Sequence, residues 1–324
     1  MQIAIDVGYS HTKAVTTDKR VLIPSVVAPY RELALADLRG NDTGHIVTIR
    51  RVDGTTSRHF VGELAVQEGR GATFTLDRDK HRHPNHDVLI LTAARLLGAG
   101  PGAILVAGLP VAYYASQKED LRRHLEALHA EVSVDGSMPS RVSFGRVIVY
   151  PQGAGAMLAA PDLPDSGLVL LVDVGYKTTD YVTAEIVGGM ARPVSSLCGS
   201  VEIGIFAVHE ALAAGYQAAT GAPLPAVRIP EIMANGGKTY HYGRELDLSD
   251  VLGKARADTA RAIADQVRAA MGDRMAAVRK VLLAGGGAEE LPLLRKLLLD
   301  ASVVDIIPEP LWANASGFLK LIGG

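Results

Sequence analysis

The chain has 324 residues, a length that favours two hydrophobic cores over one. An apolar fraction of 48% excludes a disordered protein, and a net charge of −2 gives no global basic excess for direct binding of nucleic acid. Because Cys198 is the single cysteine, the sequence excludes an internal disulfide and a multi-thiolate metal site, and we expect a cytoplasmic protein.

The first half of the chain alternates between predicted strands and helices. Strands are expected at 2–7, 12–17, 20–28, 45–52 and 103–110, with a short strand that runs into a turn at 59–69. Helices are expected at 86–98, closed by Gly98, and at 115–130, and residues 146–160 are expected to form a strand, a turn and the start of a helix. The most apolar stretch, residues 88–114, is interrupted by Arg95, Pro101 and Pro110, so we expect no membrane span and no contact with a membrane.

The second half of the chain repeats this alternation. Strands are expected at 167–174, 180–187, 280–287 and 302–308, and helices at 201–216, 250–271 and 289–299, followed by a turn and a helix at 311–323. The strand at 280–287 ends in three glycines. Strands that alternate with helices predict an α/β fold.

One stretch of the sequence occurs twice. Residues 3–16 (IAIDVGYSHTKAVT) align without a gap on residues 170–183 (LLVDVGYKTTDYVT), and seven of the fourteen positions are identical. Two buried hairpins of similar composition would share some β-rich residues by chance. Composition does not explain why an aspartate ends each apolar strand and a glycine follows two residues later. The repetition therefore predicts one matching hairpin in each half of the chain.

The repeated residues suit the binding of phosphate and a metal ion. A buried carboxylate such as Asp6 or Asp173 needs a cationic or hydrogen-bonding partner. Gly8 and Gly175 allow tight turns whose backbone N–H groups can approach an anion. Lys13 can reach a phosphate as a point charge. We expect the two hairpins to hold one nucleotide, with Asp6 and Asp173 facing a hydrated Mg²⁺.

Two other phosphate-binding motifs do not fit the sequence. The P-loop requires a glycine before its lysine, and the segment GYKTT at 175–179 has none. The dinucleotide motif is begun by Gly153 and Gly155, but Leu158 occupies the position of its third glycine. The matched hairpins are therefore the favoured phosphate site.

Five segments, in order, resemble the motifs of the actin, sugar-kinase and heat-shock-chaperone ATPase superfamily. They are IDVGYSHTK and LLVDVGYKTTD for the phosphates, YPQGAGAMLA and WANASGFLKL for the connecting segments, and VLLAGGGAEELPLL for adenosine. Residues 59–69, 76–98 and 105–114, with the segment ANASGF, are similar to the prokaryotic actin-like ATPases of the ParM and archaeal type. The resemblance implies an actin-like ATPase fold, with two related ribonuclease-H-like domains around a nucleotide cleft.

The resemblance also implies domain boundaries and site residues. Domain I would comprise residues 1–150 and 308–324, and domain II residues 151–307. Catalysis would involve Asp6, Asp173 and Gln152, with the two aspartates holding Mg²⁺ through water and Gln152 positioning the attacking water. The residues expected to bind the cofactor, ATP (or GTP), are Gly8, Tyr9, Lys13, Gly175, Thr178, Gly285, Gly286 and Gly287.

A slow nucleoside triphosphatase is the activity that this resemblance implies. Some plasmid actins have a glutamate where this chain has Gln152, and a glutamine orients water but cannot accept its proton. Slow hydrolysis suits a protein that forms filaments with itself and moves plasmid DNA, with a DNA-binding adaptor protein as a possible partner. The alternatives are a non-filament ATP switch and a small-molecule kinase of the same fold.

The individual residues also have simpler explanations. Asp6 and Asp173 could each cap a turn without any ligand. Lys13 could be a solvated lysine of a hairpin, and Gln152 could form a hydrogen bond within its own turn. The three glycines at 285–287 could be a loose connection between a strand and a helix.

Overall fold

The structure, a computed structural model, describes residues 1–34, 44–69, 73–74, 82–298 and 303–323. The chain divides into two compact units, the first formed by Met1–Ala159 with Trp312–Gly324 and the second by Ala160–Leu311. The domain boundaries expected from the sequence, after residue 150 and before residue 308, stay a prediction. Residues 75–81 lie outside the described part of the chain. They include the start of the segment 76–98, which resembles the ParM and archaeal type.

The strands and helices follow one another in both halves, as the sequence predicted. Up to residue 159 they are β1 (Gln2–Val7), β2 (His11–Val15), β3 (Arg20–Pro24), β4 (Val26–Pro29), β5 (His45–Arg51), β6 (Thr56–Val61), α1 (Glu63–Glu68), β7 (Thr73–Phe74), α2 (Pro84–Leu97), β8 (Ala103–Leu109), α3 (Val111–Ala127), β9 (His129–Val134), β10 (Ser140–Pro151) and α4 (Ala154–Ala159).

The remaining elements are β11 (Ser166–Val174), β12 (Thr179–Val187), β13 (Met190–Pro193), β14 (Gly199–Val201), α5 (Phe206–Thr220), α6 (Ile229–Ala234), β15 (Lys238–His241), β16 (Arg244–Asp247), α7 (Ser249–Met271), β17 (Val278–Ala284), α8 (Gly287–Glu290), α9 (Pro292–Leu297), β18 (Val303–Ile306) and α10 (Ala313–Gly323). None of the helices in the described part of the chain is long and apolar enough to cross a lipid bilayer.

A single sheet organises the first unit. Among the described residues it contains ten strands in the order β3-β2-β1-β8-β10-β9-β5-β6-β4-β7. Strands β1, β8 and β10 are parallel, so their carboxyl ends meet at the same edge of the sheet. This edge is where Asp6, near the end of β1, and Gln152, just after β10, are brought together.

Helices cover both faces of this sheet. Along β1, Ile3 and Ile5 belong to the same buried cluster as Leu89 of α2, whereas Ala4 packs in another cluster with Phe318 of α10. This alternation follows from the two-residue period of a strand. Asp6 has the same parity as Ala4, so its side chain lies on the face that α10 covers.

The second unit contains a smaller sheet. In the described residues its strands have the order β13-β12-β11-β17-β18, and β14 also pairs with β12. Strands β11 and β17 are parallel, which places the end of β11, with Asp173, beside the glycines that follow β17. Strands β15 and β16 form a separate two-stranded hairpin.

Helix α2 shows that local signals in the sequence were sufficient to predict where a helix ends. Its expected range was 86–98, and the structure gives Pro84–Leu97, with the His83 side chain accepting a hydrogen bond from the Asn85 N–H at the start. Gly98 ends the helix in the left-handed conformation with φ 85°, which confirms the predicted stop.

Several predicted elements were wrong in detail. Residues 63–68 form a helix where a turn was expected, and the strand expected at 20–28 is interrupted at Ser25. The helix expected at 289–299 is split, because Leu291 precedes a proline and adopts the non-helical φ of −116°. The helix expected at 201–216 begins at Phe206, and its first residues belong to β14 or to a turn.

Candidate nucleotide site

The hairpin of the first unit brings two predicted residues together. Strands β1 and β2 are antiparallel, and Asp6 lies directly opposite Lys13. Side chains of directly opposed residues lie on the same face of a sheet. The Lys13 ammonium is 3.5 Å from Oδ2 of Asp6, and both side chains are largely buried. Because an ammonium has three N–H donors, Lys13 can pair with Asp6 and with a second anion placed beside it.

Gln152 reaches the same aspartate from the end of β10. Its Nε2 donates a hydrogen bond to Oδ1 of Asp6 at 2.6 Å, and its backbone N–H donates to the Leu109 carbonyl at 2.7 Å. Asp6 is 2% exposed, and its two oxygens therefore have different partners, an ammonium and an amide. This arrangement excludes the simpler explanation that Gln152 only bonds within its own turn.

The turn of this hairpin has little space for a side chain at Gly8. The Gly8 N–H donates to the His11 carbonyl at 3.0 Å, and a Cβ at Gly8 would lie 2.8 Å from that same oxygen. Burial lowers the pKa of His11 to about 4, and the charge of Lys13 adds to the effect, so His11 is neutral at pH 7. Tyr9 is buried beside this turn.

Asn314 of α10 holds the loop that carries Gln152, and the sequence analysis did not single it out. Its Oδ1 accepts hydrogen bonds from the N–H groups of Gly153 at 2.9 Å and Ala156 at 3.1 Å, which are donors at the start of α4. Asn314 is buried. No local sequence pattern marks this role, because the hydrogen bonds connect residues about 160 positions apart.

Helices α4 and α10 approach each other through glycines. A Cβ at Gly317 would lie 1.7 Å from the Gly155 carbonyl oxygen, and a Cβ at Gly155 would lie 2.3 Å from the Phe318 ring. The position of Asn314, one turn before Gly317 on α10, depends on this close approach.

The hairpin of the second unit differs from the first in the residue that lies opposite the aspartate. Strands β11 and β12 are antiparallel, and Asp173 lies opposite Asp180 where the first hairpin has Lys13. Both aspartates are buried, and Oδ1 of Asp180 accepts a hydrogen bond from the Ser200 hydroxyl. Asp180 was missed as a site residue, although the alignment of the repeat places it on Lys13.

The turn after Asp173 is fastened to the start of α5. The Gly175 N–H donates to the Thr178 carbonyl at 2.9 Å. The carbonyls of Gly175 and Tyr176 accept hydrogen bonds from the N–H groups of Ile205 at 3.2 Å and Phe206 at 2.7 Å. The hairpin turn that contains two predicted binding residues, Gly175 and Thr178, therefore has a fixed backbone.

Tyr176 packs within the second unit. Its ring lies against Phe206 and His209, and its hydroxyl is 3.2 Å from Nδ1 of His209. Burial raises the pKa of Tyr176 to about 12, with the negative charge of Glu210 adding to the shift. Burial also lowers the pKa of His209 to about 4, although Glu290 partly opposes this.

The three glycines after β17 lie against the end of β11. Gly285 has φ 81°, and a Cβ there would lie 2.4 Å from Oδ1 of Asp173. A Cβ at Gly287 would lie 2.4 Å from the Val174 side chain, whereas Gly286 is exposed. The Gly285 N–H also donates to the Pro310 carbonyl at 2.9 Å, so this connection is not loose.

The predicted site residues thus form two clusters, one in each unit. In the first unit the cluster comprises Asp6, Gly8, Lys13 and Gln152, with Tyr9 buried next to it. In the second unit it comprises Asp173, Gly175, Thr178, Gly285 and Gly287, with Gly286 exposed beside them.

The donor atoms fit a hydrated Mg²⁺ ion. Carboxylate oxygens are hard ligands, and Mg²⁺ in nucleotide sites uses one or two carboxylates, with waters and phosphates completing the shell. The described residues contain no group of three or more His, Cys, Asp or Glu that could hold a metal ion by themselves. Two opposed buried carboxylates, Asp173 and Asp180, repel each other unless a cation or a proton is near.

Two family models match the chain in tandem. Residues 4–155 match the model described as "Actin like proteins N terminal domain". Residues 171–296 match the model described as "Archaeal actin homologue MreB-like, C-terminal". The first contains the hairpin of Asp6, and the second contains the hairpin of Asp173. The fold and the two clusters therefore define an actin-like protein.

Solved structures agree with this class along the full chain. A non-polymerisable quadruple mutant of pCBH ParM is 27% identical, with a TM-score of 0.87, covering 99% of this chain and 98% of that one. ParM from Clostridium botulinum in a 15-stranded filament is 25% identical, with the same TM-score and coverage. The archaeal actin homologue Ta0583 in complex with ADP is 22% identical, with a TM-score of 0.80 and the same coverage. This chain belongs to the prokaryotic actin-like proteins of the ParM and archaeal type. No curated protein sequence matches it.

Proposed function

We propose that this chain is an ATPase that binds Mg²⁺ with ATP (or GTP) and forms nucleotide-dependent filaments that segregate plasmid DNA. The observation that carries the proposal is the pair of matched hairpins, each with a buried aspartate and a glycine turn, on a fold shared with ParM. A DNA-binding adaptor protein would connect the filament to its cargo.

Asp6 and Asp173 would hold the Mg²⁺ through its bound waters. When bound, the ion neutralises the negative charge that develops on the phosphates. Lys13 adds a positive charge next to Asp6, and the turns that contain Gly8 and Gly175 would bring backbone N–H groups close to phosphate oxygens. Asp180, opposite Asp173, would accept hydrogen bonds from the same water shell.

Gln152 would orient the water that attacks the terminal phosphate. Its amide is fixed by Asp6, and its loop is fixed by Asn314. Because an amide cannot accept the proton of that water, catalysis depends on positioning and on charge. We therefore expect slow turnover, which suits a polymer whose lifetime is set by hydrolysis.

The base and ribose would lie against the glycines at 285–287. Gly285 and Gly287 have no room for a side chain, and Gly286 is exposed, so the backbone there can approach a flat ligand. Because Gly285 is also crowded against Asp173, a ligand that shifts the backbone at the glycines would also shift the Asp173 carboxylate.

Filament formation is proposed from the relatives. The Clostridium botulinum ParM was observed as a filament, and a quadruple mutant of pCBH ParM is described as non-polymerisable. If ATP binding favours the conformation that assembles, nucleotide shifts the population towards polymer and hydrolysis shifts it back.

Sedimentation with a phosphate-release assay tests this function. We expect the protein to pellet with Mg²⁺ and ATP or a non-hydrolysable analogue, and to remain in the supernatant with ADP or without nucleotide. Absence of nucleotide-dependent pelleting across a wide range of protein concentration would contradict filament formation.

The alternatives predict other outcomes in the same assay. A non-filament ATP switch would bind and hydrolyse ATP without pelleting. A small-molecule kinase would consume ATP faster when a panel of sugars or acids is added than with water alone.

A further inference from the structure

The first unit contains a cleft whose lining is almost entirely charged or titratable. Its volume is about 780 Å³, which is in the range of sites for small molecules. The lining comes from β5, from the start of α2 with the residues just before it, and from α3. It comprises Arg51, Arg82, His83, Pro84, Asp87, Asp120, Arg123 and His124, and we call this set the arginine cleft. A ligand there would be held mainly through charge and hydrogen bonds.

The arginine cleft is separate from the cluster around Asp6. Leu89 of α2 and Leu125 of α3 pack in the same buried cluster as Ile5 of β1. Because Ile5 and Asp6 are adjacent on a strand, their side chains lie on opposite faces of the sheet. None of the residues that line the arginine cleft was assigned to the nucleotide, so a ligand there would occupy a second site.

The more buried part of the arginine cleft is a carboxylate with two partners. Asp87 is buried, and its Oδ2 accepts a hydrogen bond from the Arg51 guanidinium at 3.3 Å. Its Oδ1 is 2.6 Å from Nε2 of His124. The hydrogen bond with Asp87 raises the pKa of His124, although burial opposes this shift. Asp87 therefore fixes two basic side chains, one from β5 and one from α3, beside each other.

The more exposed part of the arginine cleft carries two further guanidinium groups. Asp120 lies 2.6 Å from the Arg123 guanidinium and 3.9 Å from that of Arg82, and the longer of these separations is not a hydrogen bond. Among the described lining residues, three guanidinium groups thus share two carboxylates. This leaves a surplus of positive charge even when both lining histidines are neutral.

The charge and the arrangement of these groups favour a phosphate over a carboxylate as the ligand. A carboxylate pairs with a guanidinium along a single planar edge, and Asp87 and Asp120 already occupy such positions. A phosphate has oxygens that point in several directions, so it can accept hydrogen bonds from guanidinium groups that belong to different elements. A phosphate group also carries about −1.5 to −2 charges at pH 7, which the surplus can offset.

We propose that the arginine cleft binds the phosphate group of a small molecule through Arg51, Arg82 and Arg123. This site does not depend on the proposed function, because its residues take no part in the nucleotide site. Free inorganic phosphate and a phosphorylated organic molecule share the required chemistry. The cleft is larger than a phosphate ion, which favours the organic molecule.

Titration of the nucleotide-free protein, followed by NMR at constant ionic strength, locates the binding. We expect inorganic phosphate and ribose 5-phosphate to shift the backbone amide signals of residues 85–87 and 120–124 at lower concentrations than those of residues 8–13. Tighter binding of ribose 5-phosphate would identify an organic phosphate as the ligand, and equal affinities would identify phosphate itself. Acetate should leave these signals unchanged at the same concentrations.

The exposed arginines supply variants that leave the core intact. The side chains of Arg82 and Arg123 are each 69% exposed, so the double change to glutamine should not alter the melting temperature. Because it removes two charge-assisted donors, it should weaken phosphate binding at least about tenfold. Arg122→Gln is the matched control and should bind phosphate like the parent. Arg122 is the neighbour of Arg123 on α3, but it pairs with Glu119 and Glu126 and is not among the described residues that line the cleft.

Three results would overturn the phosphate site. The first is that neither phosphate compound shifts the amide signals of the arginine cleft at millimolar concentrations, or that acetate shifts them equally. The second is that the double variant binds phosphate as tightly as the parent while Lys13→Gln abolishes binding, which would place the phosphate at the hairpin of Asp6. The third is that Arg122→Gln weakens binding as much as the double variant, which would show a general effect of charge.

Discussion

At the scale of single residues, Asp6 has the most informative environment. It is buried between the Lys13 ammonium, which comes from β2, and the Gln152 amide, which comes from the loop after β10. An aspartate that only capped a turn would bond within that turn, whereas both of these partners come from outside it. The two partners hold the carboxylate in one orientation.

Replacing Gln152 tests the assignment of the water-positioning group. We expect Gln152→Ala to slow hydrolysis by about 10²-fold, as for other positioning groups, while Mg²⁺·nucleotide binding stays nearly unchanged. Single-turnover phosphate release and equilibrium titration measure the two effects. The exposed Gln217, changed to alanine on α5, is the control. Hydrolysis by Gln152→Ala at the parent rate would show that the assigned role is wrong.

The half-buried His209 predicts a pH dependence of stability. Its pKa is about 4 in the folded protein and about 6.5 when unfolded, so between these values the unfolded chain binds a proton that the folded chain does not. Stability is therefore complete above about pH 6.5 and falls as the pH drops towards 4. His11 contributes in the same direction.

Between pH 7 and pH 5, His209 should account for a loss on the order of 1–2 kcal/mol in the free energy of unfolding. Urea titrations at the two pH values should show a smaller loss for His209→Gln than for the parent. An equal loss in both proteins would mean that the pKa of His209 is not lowered in the folded protein.

Sequence reasoning could predict residues that the repeat marks and missed those that act from elsewhere. Asp6, Gly8 and Asp173 could be predicted because the same pattern occurs twice. Asn314 was not, since its hydrogen bonds to the loop of Gln152 connect residues about 160 positions apart. Asp180 occupies a repeat position where the two copies differ, and only positions that are identical in both copies indicated site residues.

At the scale of elements, the crossing of α4 and α10 determines where the Gln152 loop lies. These helices meet through Gly155 and Gly317, with Asn314 between them and the loop. Larger residues would separate the helices and withdraw the Asn314 amide from its two donors.

Gly317→Ala tests this crossing. A Cβ there would lie 1.7 Å from a backbone oxygen, so overpacking should cost on the order of 3 kcal/mol and lower the melting temperature by several degrees. A Cβ at Gly323, on the same helix, would lie 4.0 Å from the Gln2 side chain, so Gly323→Ala should leave the melting temperature unchanged or slightly higher. Equal melting temperatures for the two variants would contradict the crossing.

Elements were predictable where a local signal dominated. Gly98 stopped α2 as expected, and both matched hairpins formed where the repeat predicted them. The hairpin at 238–247 was not predicted, because its Tyr-Gly turn lacks the usual Asn-Gly signal. Its stability comes from Tyr216 and Arg228, which are distant enough in sequence to leave no short-range pattern.

At the scale of the whole molecule, the two units contain the same hairpin motif. A strand ends in a buried aspartate, a glycine turns the chain, and a second strand returns antiparallel. The units differ in what faces that aspartate, a lysine in the first and an aspartate in the second. Under the proposed function, the lysine would face a phosphate and the aspartate would face the waters of the metal ion.

A crystal structure of the protein with Mg²⁺ and a non-hydrolysable ATP analogue tests this pairing most directly. The account predicts one nucleotide whose phosphates contact the turns at Gly8 and Gly175, whose metal waters face Asp6 and Asp173, and whose base lies against Gly285–Gly287. A nucleotide bound to one hairpin alone, or to a surface that includes neither aspartate, would contradict it.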